Sequence, residues 1–411
     1  MSGRDPRSHA RPASGRRPLR HLLFAAGADR CIACGTCAAG CPVADWDQNR
    51  LDPRRMVRLI HYGRADLLIG QDWLFQCTNC GKCTFNCPAK VDLGQIISQA
   101  RGLVERHRDP GPAQIQKTAE LHRDTDNNMG LAEEDWLETA EWMAEELADA
   151  IGDFALPVDR HGAEYFATFN SKLPMYYPID LQDIFKIFTL AGVDWTLPRR
   201  WWEGTNYAMF THDEATWAET LRRQVAEAQR LGCRKMAYTE CGHGYYATLS
   251  GLRRFGIETD LKVIHVVSLY AQWIREGRFA LDPSRNPQRI TIHDPCNATR
   301  KAALDGFPSI ADDLRFVLDH VCQEVVEPTP NREANICCGG GGGTLLAGFK
   351  QARLHYGRPK VDQIDRTGAE LVCTPCVNCL DAIEGLARAY ERPWRPIHLW
   401  KLLARAIVVP S

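Results

Sequence analysis

The sequence predicts an α+β multidomain protein, in which a mostly α-helical module precedes two related α/β half-domains. The N-terminal part contains two cysteine runs of identical spacing, and the C-terminal part repeats one succession of strand-like and helical segments. The chain also has 17 cysteines in 411 residues, many of them in C-x-x-C groups that are typical of metal sites. A chain of this length can form two or three domains with substantial cores.

Composition excludes several classes of protein. The 50 basic and 51 acidic residues leave no overall field that would favour nucleic acid or an anionic membrane. No apolar run approaches the roughly 20 residues that a membrane-spanning helix needs. Disulfides are disfavoured in the reducing cytosol, so the cysteines are expected to bind metal. We therefore expect a cytoplasmic protein, or one held at the inner membrane by a partner subunit, with no nucleic acid partner and no membrane span of its own.

The first 20 residues are rich in Arg, Pro, Ser and Gly and show no apolar periodicity. Such a composition cannot bury a core, so residues 1–20 are predicted to be a disordered basic tail. Arg16-Arg17, followed by the apolar stretch at 19–28, resembles a twin-arginine export signal. The stretch is short, contains Arg20 and lacks a clear cleavage site, which favours the tail.

Residues 21–110 contain the two cysteine runs, each C-x2-C-x2-C-x3-C followed by proline. This is the spacing of bacterial two-cluster ferredoxins, in which the fourth cysteine of each run binds the other cluster. Zinc is the alternative for C-x-x-C pairs, but two complete runs favour two 4Fe-4S cubane clusters. The two expected ligand sets are Cys31, Cys34, Cys37 and Cys87, and Cys77, Cys80, Cys83 and Cys41.

Apolar periodicity predicts the helices around these runs. Residues 53–68 and 93–106 are predicted to be helical, the first with Met56, Val57, Leu59 and Ile60 on its apolar side. Residues 111–160 are predicted to be connecting helices. The amphipathic stretch at 132–151 carries its apolar residues at helical spacing: Trp136, Leu137, Trp142 and Leu147.

A second group of cysteines lies in residues 286–405. Cys337 and Cys338 are adjacent and run into five glycines, of which Gly339 and Gly340 would let the backbone approach a bulky ligand closely. A Walker-type phosphate loop is excluded, because Thr344 and not Gly-Lys-Ser/Thr ends the run. The pattern favours an iron–sulfur site. Its predicted ligands are Cys296, Cys337, Cys338, Cys373 and Cys376, and Cys379 is predicted to be a small buried residue outside the pattern.

Cys296, Cys337-Cys338-Gly339 and Cys373-x-x-Cys376 together resemble the CCG domain of heterodisulfide reductases and related redox proteins. The resemblance covers roughly the last third of the chain. It implies that the five cysteines hold a noncubane 4Fe-4S cluster and that this cluster reduces a disulfide. The N-terminal module is similar to the mostly helical C-type subunit through which electrons enter the same enzymes.

Residues 161–285 are predicted to be a degenerate copy of the last half-domain, related to it by pseudo-symmetry. Tyr238-Thr-Glu-Cys241 aligns with Cys373-Thr-Pro-Cys376, and Ile264-His265 aligns with Ile397-His398. The aligned ligand positions carry other residues, namely Phe169, Trp202, Glu203 and Tyr238. Three of these are large aromatics that can fill the volume of a cluster, so this half-domain is expected to bind none. A single CCG site resembles the fused D-type subunit of heterodisulfide reductase and the K-type subunit of the membrane-linked sulfite-reduction complex.

Cys241 alone retains a ligand-type side chain in the degenerate half. The stretch Glu240-Cys241-Gly242-His243 resembles the one that replaces the lost motif in the sulfite-reduction protein. Cys241 is predicted either to be a structural thiol or to face the cluster as a ligand or redox thiol, with His243 and Glu240 supplying protons. The remaining buried-type residues are expected in the core or behind the ligands: His293, His265, Cys233 and Cys322.

The predicted function is that of a heterodisulfide reductase-like oxidoreductase, the catalytic subunit of a larger complex. Electrons would pass through two cubanes to the noncubane cluster, which reduces or forms a disulfide, heterodisulfide or polysulfide. Expected partners are a flavoprotein or a membrane cytochrome or quinone subunit, and a small-protein or small-molecule disulfide substrate. The alternatives, without sulfur chemistry, are the electron-transfer subunit of a glycolate- or lactate-type flavoprotein oxidase and a quinone-linked docking module. An open cleft at the noncubane site would favour disulfide chemistry, a buried site a relay, and an exposed apolar face docking.

Overall fold

The computed structural model describes residues 26–44, 51–152 and 154–409. The predicted disordered tail at 1–20 and the export-like motif at 16–17 lie outside these residues. The described chain combines α-helices with parallel β-sheets, as the sequence predicts. Within the described ranges, no helix is both long and apolar enough to cross a lipid bilayer.

Short helices form the N-terminal module. They are α1 (Thr36–Ala39), α2 (Pro53–His61), α3 (Ala65–Ile69), α4 (Trp73–Gln76), α5 (Lys82–Phe85) and α6 (Leu93–Arg101). The helix predicted at 53–68 is two helices, because the chain turns at Gly63 in the left-handed region (φ 68°). Helix α2 begins with Pro53 after Asp52, whose carboxylate accepts a hydrogen bond from the backbone of Arg55.

Two longer helices, α7 (Ala113–Thr125) and α8 (Glu133–Ile151), connect this module to the sheets. Helix α8 buries Trp136, Leu137 and Leu147 against the first sheet, as predicted. The prediction for Trp142 is wrong, because its side chain is 59% exposed. Residue 142 lies between the positions that face the core on a 3.6-residue period.

The rest of the chain forms two four-stranded parallel sheets. The first has the order β2-β1-β3-β4 and the second β6-β5-β7-β8. The strands are β1 (Tyr165–Thr168), β2 (Trp195–Thr196), β3 (Lys235–Tyr238), β4 (Lys262–His265), β5 (Arg289–Ile292), β6 (Glu324–Val326), β7 (Leu371–Thr374) and β8 (Arg395–His398).

Helices accompany the strands of both sheets. Those of the first are α9 (Lys172–Tyr176), α10 (Ile179–Leu190), α11 (Ala208–Thr211), α12 (Glu214–Arg230), α13 (Gly242–Phe255) and α14 (Val266–Arg275). Those of the second are α15 (Ala302–Leu304), α16 (Ala311–Val321), α17 (Lys350–Tyr356), α18 (Arg358–Asp365), α19 (Val377–Ala389) and α20 (Leu399–Ala406), with a π-helical turn at Asn297–Lys301. One hydrophobic core contains residues of both sheets.

The two sheets share local details as well as strand order. His265 ends β4 and His398 ends β8, and each caps the following helix by accepting a backbone N–H two residues ahead at Nδ1. Cys241 and Cys376 are the N-cap residues of α13 and α19, which follow the third strand of each order. These equivalences support the predicted pseudo-symmetry of residues 161–285 and 286–405.

Aromatic side chains fill the interior of the first half-domain. Trp202 is 1% exposed, and its ring lies 4.8 Å from that of Trp136, centroid to centroid. Phe169 packs edge-on against Phe185, with 6.1 Å between centroids. Tyr238 is buried and hydrogen-bonds through its hydroxyl to Thr248. Large aromatic side chains thus fill the positions of the first half-domain that align with cysteines of the second.

We expect Trp202→Ala to destabilise the protein by about 3–5 kcal/mol, because it empties a closely packed part of this core. Its iron content should not change if the first half-domain binds no cluster. Thermal unfolding and iron analysis of the same samples measure both effects. The exposed Trp142→Ala is the matched control and should change stability by no more than about 0.5 kcal/mol. Iron loss from folded Trp202→Ala protein would contradict the expectation.

Candidate iron–sulfur sites

The first cavity is formed by cysteines from both N-terminal runs. Its lining includes Cys31, Cys34 and Cys37 of the first run together with Cys87 of the second. Gly35, in the left-handed region at φ 87°, allows the chain to turn between Cys34 and α1. Cys34 is exposed to solvent. This cavity therefore reaches the protein surface.

The second cavity has the reciprocal composition. Cys41 of the first run lines it together with Cys77, Cys80 and Cys83 of the second. Cys77 and Cys80 are each only 8% exposed, so this cavity lies deeper in the protein than the first. The structure thus brings together the two mixed sets of four cysteines that the ferredoxin spacing predicts.

The environment of these thiols fits a cationic metal core. Burial raises the pKa of Cys41 and Cys83 well above the usual range, and the charges of neighbouring cysteines raise them further. Four thiolates crowded into a dry cavity repel one another unless positive charge lies between them. Iron bound to all four would supply that charge, so the residues present fit a 4Fe-4S cluster in each cavity.

The glycine run is packed against the N-terminal module. A Cβ on Gly341 would lie 2.7 Å from the carbonyl oxygen of Thr78, and one on Gly340 would lie 2.7 Å from that of Asn378. The backbone N–H groups of Gly339 and Gly340 donate to Cys337 Sγ (3.3 Å) and Cys338 Sγ (3.4 Å). The glycines therefore approach neighbouring backbone and direct two N–H groups at the paired cysteines.

A buried group of thiols extends from the second cavity into the CCG region. Cys80 contacts Cys296 and Cys337. Cys338 is within hydrogen-bonding reach of Cys337 and Cys379, and Cys379 in turn reaches Cys376. None of these cysteines is more than 8% exposed. These CCG cysteines thus form one continuous, water-excluded group with Cys80, which lines the second cavity.

Cys373 is not part of this cluster, contrary to the prediction. Its side chain lies in the main hydrophobic core. Burial there raises the pKa of its thiol, and the charge of Cys322 raises it further. The reason is that Cys373 is within strand β7 and points to the face opposite the cluster. Cys376 caps α19 and Cys379 lies three residues further on, which puts both on one side of its first turn. Cys379, predicted to be a small core residue, occupies the place expected for Cys373.

Cys241 and its neighbours face the same cluster from the first half-domain. Cys241 is 1% exposed and its thiol reaches that of Cys376. His243 Nδ1 lies 2.8 Å from Cys241 Sγ, while the backbone N–H of Asn206 donates to Nε2 at 3.3 Å. Because Nε2 accepts, the neutral ring carries its hydrogen on Nδ1, directed at the Cys241 sulfur.

Glu240 and His243 are both titratable groups in a dry environment. Burial, and then the nearby Cys376 charge, raise the pKa of Glu240 to about 8. One of its carboxylate oxygens accepts the backbone N–H of Val377, the first residue of α19, at 3.1 Å. Burial lowers the pKa of His243 to about 4. All three predicted residues therefore meet at the interface between the half-domains, beside Cys376.

Two arginines without exposed surface flank the second cavity, and sequence reasoning did not identify them. Arg101 donates to the carbonyl oxygens of Cys77 (2.6 Å) and Gly342 (2.8 Å). Arg300 donates to those of Cys80 (2.9 Å) and Asn335 (2.5 Å). Neither forms an ion pair with a carboxylate among the described residues. A helical arginine carries no sequence signal that distinguishes it from a solvated one, so only the fold could have revealed them.

Comparison with known proteins agrees with this division of the chain. Residues 30–92 match the family profile described as a 4Fe-4S dicluster domain, and residues 290–384 match the one described as a cysteine-rich domain, CCG. Both matches support bound iron–sulfur clusters.

Three relatives illustrate the range of similar proteins. The Hdr-like menaquinol oxidoreductase iron-sulfur subunit of Archaeoglobus profundus is 25% identical over 87% of this chain and 75% of that protein. The EtfAB:quinone oxidoreductase of Syntrophomonas wolfei is 24% identical over 88% of this chain and 56% of that protein. The D-type subunit of the dihydromethanophenazine:CoB–CoM heterodisulfide reductase of Methanosarcina mazei is 28% identical, over 39% of this chain and 38% of that protein.

Crossed ligation can be tested with single serine variants. We expect Cys41→Ser to perturb the same cluster signal as Cys77→Ser, and Cys87→Ser the same signal as Cys31→Ser, because each fourth cysteine lies in the other run's cavity. Electron paramagnetic resonance of the reduced, anaerobically purified protein distinguishes the two signals. If Cys41→Ser instead perturbed the same signal as Cys31→Ser, each run would bind its own cluster.

The reassignment of a predicted ligand position from Cys373 to Cys379 can also be tested. If the CCG cysteines hold a third 4Fe-4S cluster, we expect Cys379→Ala to lose about four of about twelve irons, because the change would remove one ligand of that cluster. Cys373→Ala should retain all of them and cost about 1 kcal/mol of stability. Iron analysis and Mössbauer spectroscopy measure the difference. The opposite result would restore Cys373 as the ligand.

Proposed function

We propose that this iron–sulfur electron-transfer protein, which combines a dicluster domain with a CCG domain and is related to the D-type subunit of heterodisulfide reductase, carries electrons through two 4Fe-4S cubanes to one noncubane 4Fe-4S cluster. The proposed ligands of the noncubane cluster are Cys296, Cys337, Cys338, Cys376 and Cys379. The cubanes are assigned to the mixed cysteine sets of the two N-terminal cavities. Its partners are the other redox proteins of a complex.

The contact of Cys80 with Cys296 and Cys337 carries this proposal. It joins a proposed cubane ligand to two proposed noncubane ligands with no solvent between them. The exposure of Cys34 supports entry or exit of electrons at the first cavity, where a redox partner can approach. The order of transfer is therefore from the first cavity to the second and then to the CCG cysteines, or the reverse.

We assign disulfide chemistry to the interface where Cys241 faces Cys376. Reduction of a disulfide consumes two electrons and two protons and yields two thiols. The clusters, when bound, supply the electrons one at a time. The neutral His243 ring, with its N–H on Nδ1 at 2.8 Å from Cys241 Sγ, is suited to stabilise a Cys241 thiolate by a hydrogen bond. Glu240, whose pKa burial raises to about 8, is the neighbouring group that can supply the proton.

A relay without sulfur chemistry is the second candidate, and specific observations favour it. All the CCG thiols are buried. None of the described pockets is lined by a CCG cysteine. Two relatives that match over most of this chain are named for quinone or menaquinol oxidoreductases. Met175, Tyr176 and Ile179 also form an exposed apolar run near the start of α10, where a partner could bind.

The Cys241→Ala variant separates the two candidates. With reduced benzyl viologen as donor and cystine as probe disulfide, we expect viologen oxidation to fall by about a hundredfold, because the thiol and its proton donor no longer act together. Iron content and the two cubane signals should be unchanged. The control is Cys233→Ala, which removes a buried cysteine of the same half-domain that does not contact the cluster.

Equal cystine turnover in Cys241→Ala and wild type would end the catalytic assignment of Cys241. If wild-type protein instead transfers electrons to a soluble naphthoquinone and not to cystine, the relay is correct. In either case, a preparation with about eight irons and no third signal would refute the noncubane cluster itself.

A further inference from the structure

The imidazole of His293 has no hydrogen-bond partner although it is buried beside the CCG cysteines. His293 is 1% exposed, and neither Nδ1 nor Nε2 makes a hydrogen bond in the described structure. One nitrogen of His293 lies within 4.8 Å of the Sγ atoms of Cys338 and Cys379, and these two Sγ atoms also lie within 4.8 Å of each other. Buried polar groups are almost always paired, so an imidazole with two free nitrogens indicates a missing partner.

The charged neighbours of His293 are already engaged. The Asp294 carboxylate accepts hydrogen bonds from Arg315 at 2.7 and 3.1 Å and from the backbone of Arg332 at 2.7 Å. The Lys360 ammonium, also buried, donates to Gln363 Oε1 at 2.5 Å. Neither group is therefore left to pair with the ring. One ring nitrogen lies near the Sγ atoms of Cys338 and Cys379.

The backbone fixes this position. His293 follows β5, and its N–H donates to the carbonyl oxygen of Cys373 in β7 at 2.8 Å. In the first sheet, Thr168 is paired with Tyr238 as Ile292 is paired with Cys373, so the residue that follows β1 as His293 follows β5 is Phe169. The half-domain without the cysteine set thus has a buried apolar ring there, with no polar atom to pair, where the other has an unpaired imidazole.

From this geometry we propose that His293 is a nitrogen ligand to iron in the CCG site, together with Cys338 and Cys379. A neutral imidazole is a good ligand for iron, and histidine replaces cysteine on iron in Rieske clusters. The separation of the three ligand atoms leaves room for one metal atom between them. The CCG cluster is then held by five cysteines and one histidine. This assignment rests on the proposed noncubane cluster and adds a ligand to it.

Pulsed electron paramagnetic resonance on holoprotein grown with ¹⁵N-histidine tests the proposal. We expect a strongly coupled histidine nitrogen on the CCG signal, of the size seen for imidazole bound directly to iron. His293→Gln should abolish the coupling while both cubane signals persist. His122→Gln is the control, because His122 is a similarly buried imidazole, 3% exposed, whose ring stacks against that of Trp201.

His293→Cys provides an independent measurement. A thiolate can take the place of the imidazole, so iron content should equal that of wild type while the nitrogen coupling is absent. The CCG midpoint potential should fall by about 59 mV or more, a tenfold change in the ratio of oxidised to reduced cluster.

A nitrogen coupling that survives in His293→Gln, or a weak coupling typical of a hydrogen bond, would overturn the proposal. Because the labelled wild-type spectrum decides this alone, misfolding of a variant does not prevent the test. Loss of the inference and loss of the proposed function are also distinguishable. A protein with about twelve irons and a third signal but no strong coupling refutes only the histidine ligand, whereas about eight irons and no third signal refute the cluster.

Discussion

The buried guanidinium groups of Arg101 and Arg300 join the N-terminal module to both half-domains. Arg101 lies on α6, yet its acceptors include the carbonyls of Cys77 in the second cavity and Gly342 in the glycine run. A charge without a carboxylate partner is costly to bury, by several kcal/mol before compensation. Backbone carbonyls offset part of that cost, and iron-bound thiolates beside Cys77 and Cys80 would supply the opposite charge. The domain interface and the metal site therefore stabilise each other.

That interface explains why the glycines are needed where they are. The carbonyl of Thr78 is so close to the glycine run that side chains at Gly341 or Gly342 would clash with it. Since Thr78 follows Cys77 in the second cavity, the same contact that excludes side chains brings Cys80 against Cys337. The glycines are needed mainly to let the CCG region lie close to the second cavity, and less to let the backbone approach a ligand. A larger residue at these positions would separate the thiols on which transfer depends.

Cysteine spacing was sufficient to predict the mixed sets in the N-terminal cavities, because the ferredoxin run fixes its own local fold. It was not sufficient in the CCG region, where Cys373-x-x-Cys376 and Cys376-x-x-Cys379 overlap and have the same spacing. Strand β7 decides between them, since residues within a strand alternate between faces and Cys373 falls on the core side. The run at 370–374 is strand-like in the sequence as well, and together with the helix that starts after Cys376 it favours Cys379 over Cys373. The proximity of His293 to Cys338 and Cys379 joins residues that are 45 or more positions apart in the sequence, so no local pattern could predict it.

The asymmetry between the half-domains gives the first one its chemical role. In the proposed pseudo-symmetric pair, aromatic residues such as Trp202 make the first half a rigid wall instead of a second cluster site. Cys241 corresponds to Cys376 as an N-cap, but it no longer has the companions that would bind it to iron. Its sulfur is thereby free to face Cys376, with the His243 N–H directed at it. Loss of one cluster would thus have left a thiol and a hydrogen-bond donor beside the other, an arrangement that suits the disulfide reduction proposed for this interface.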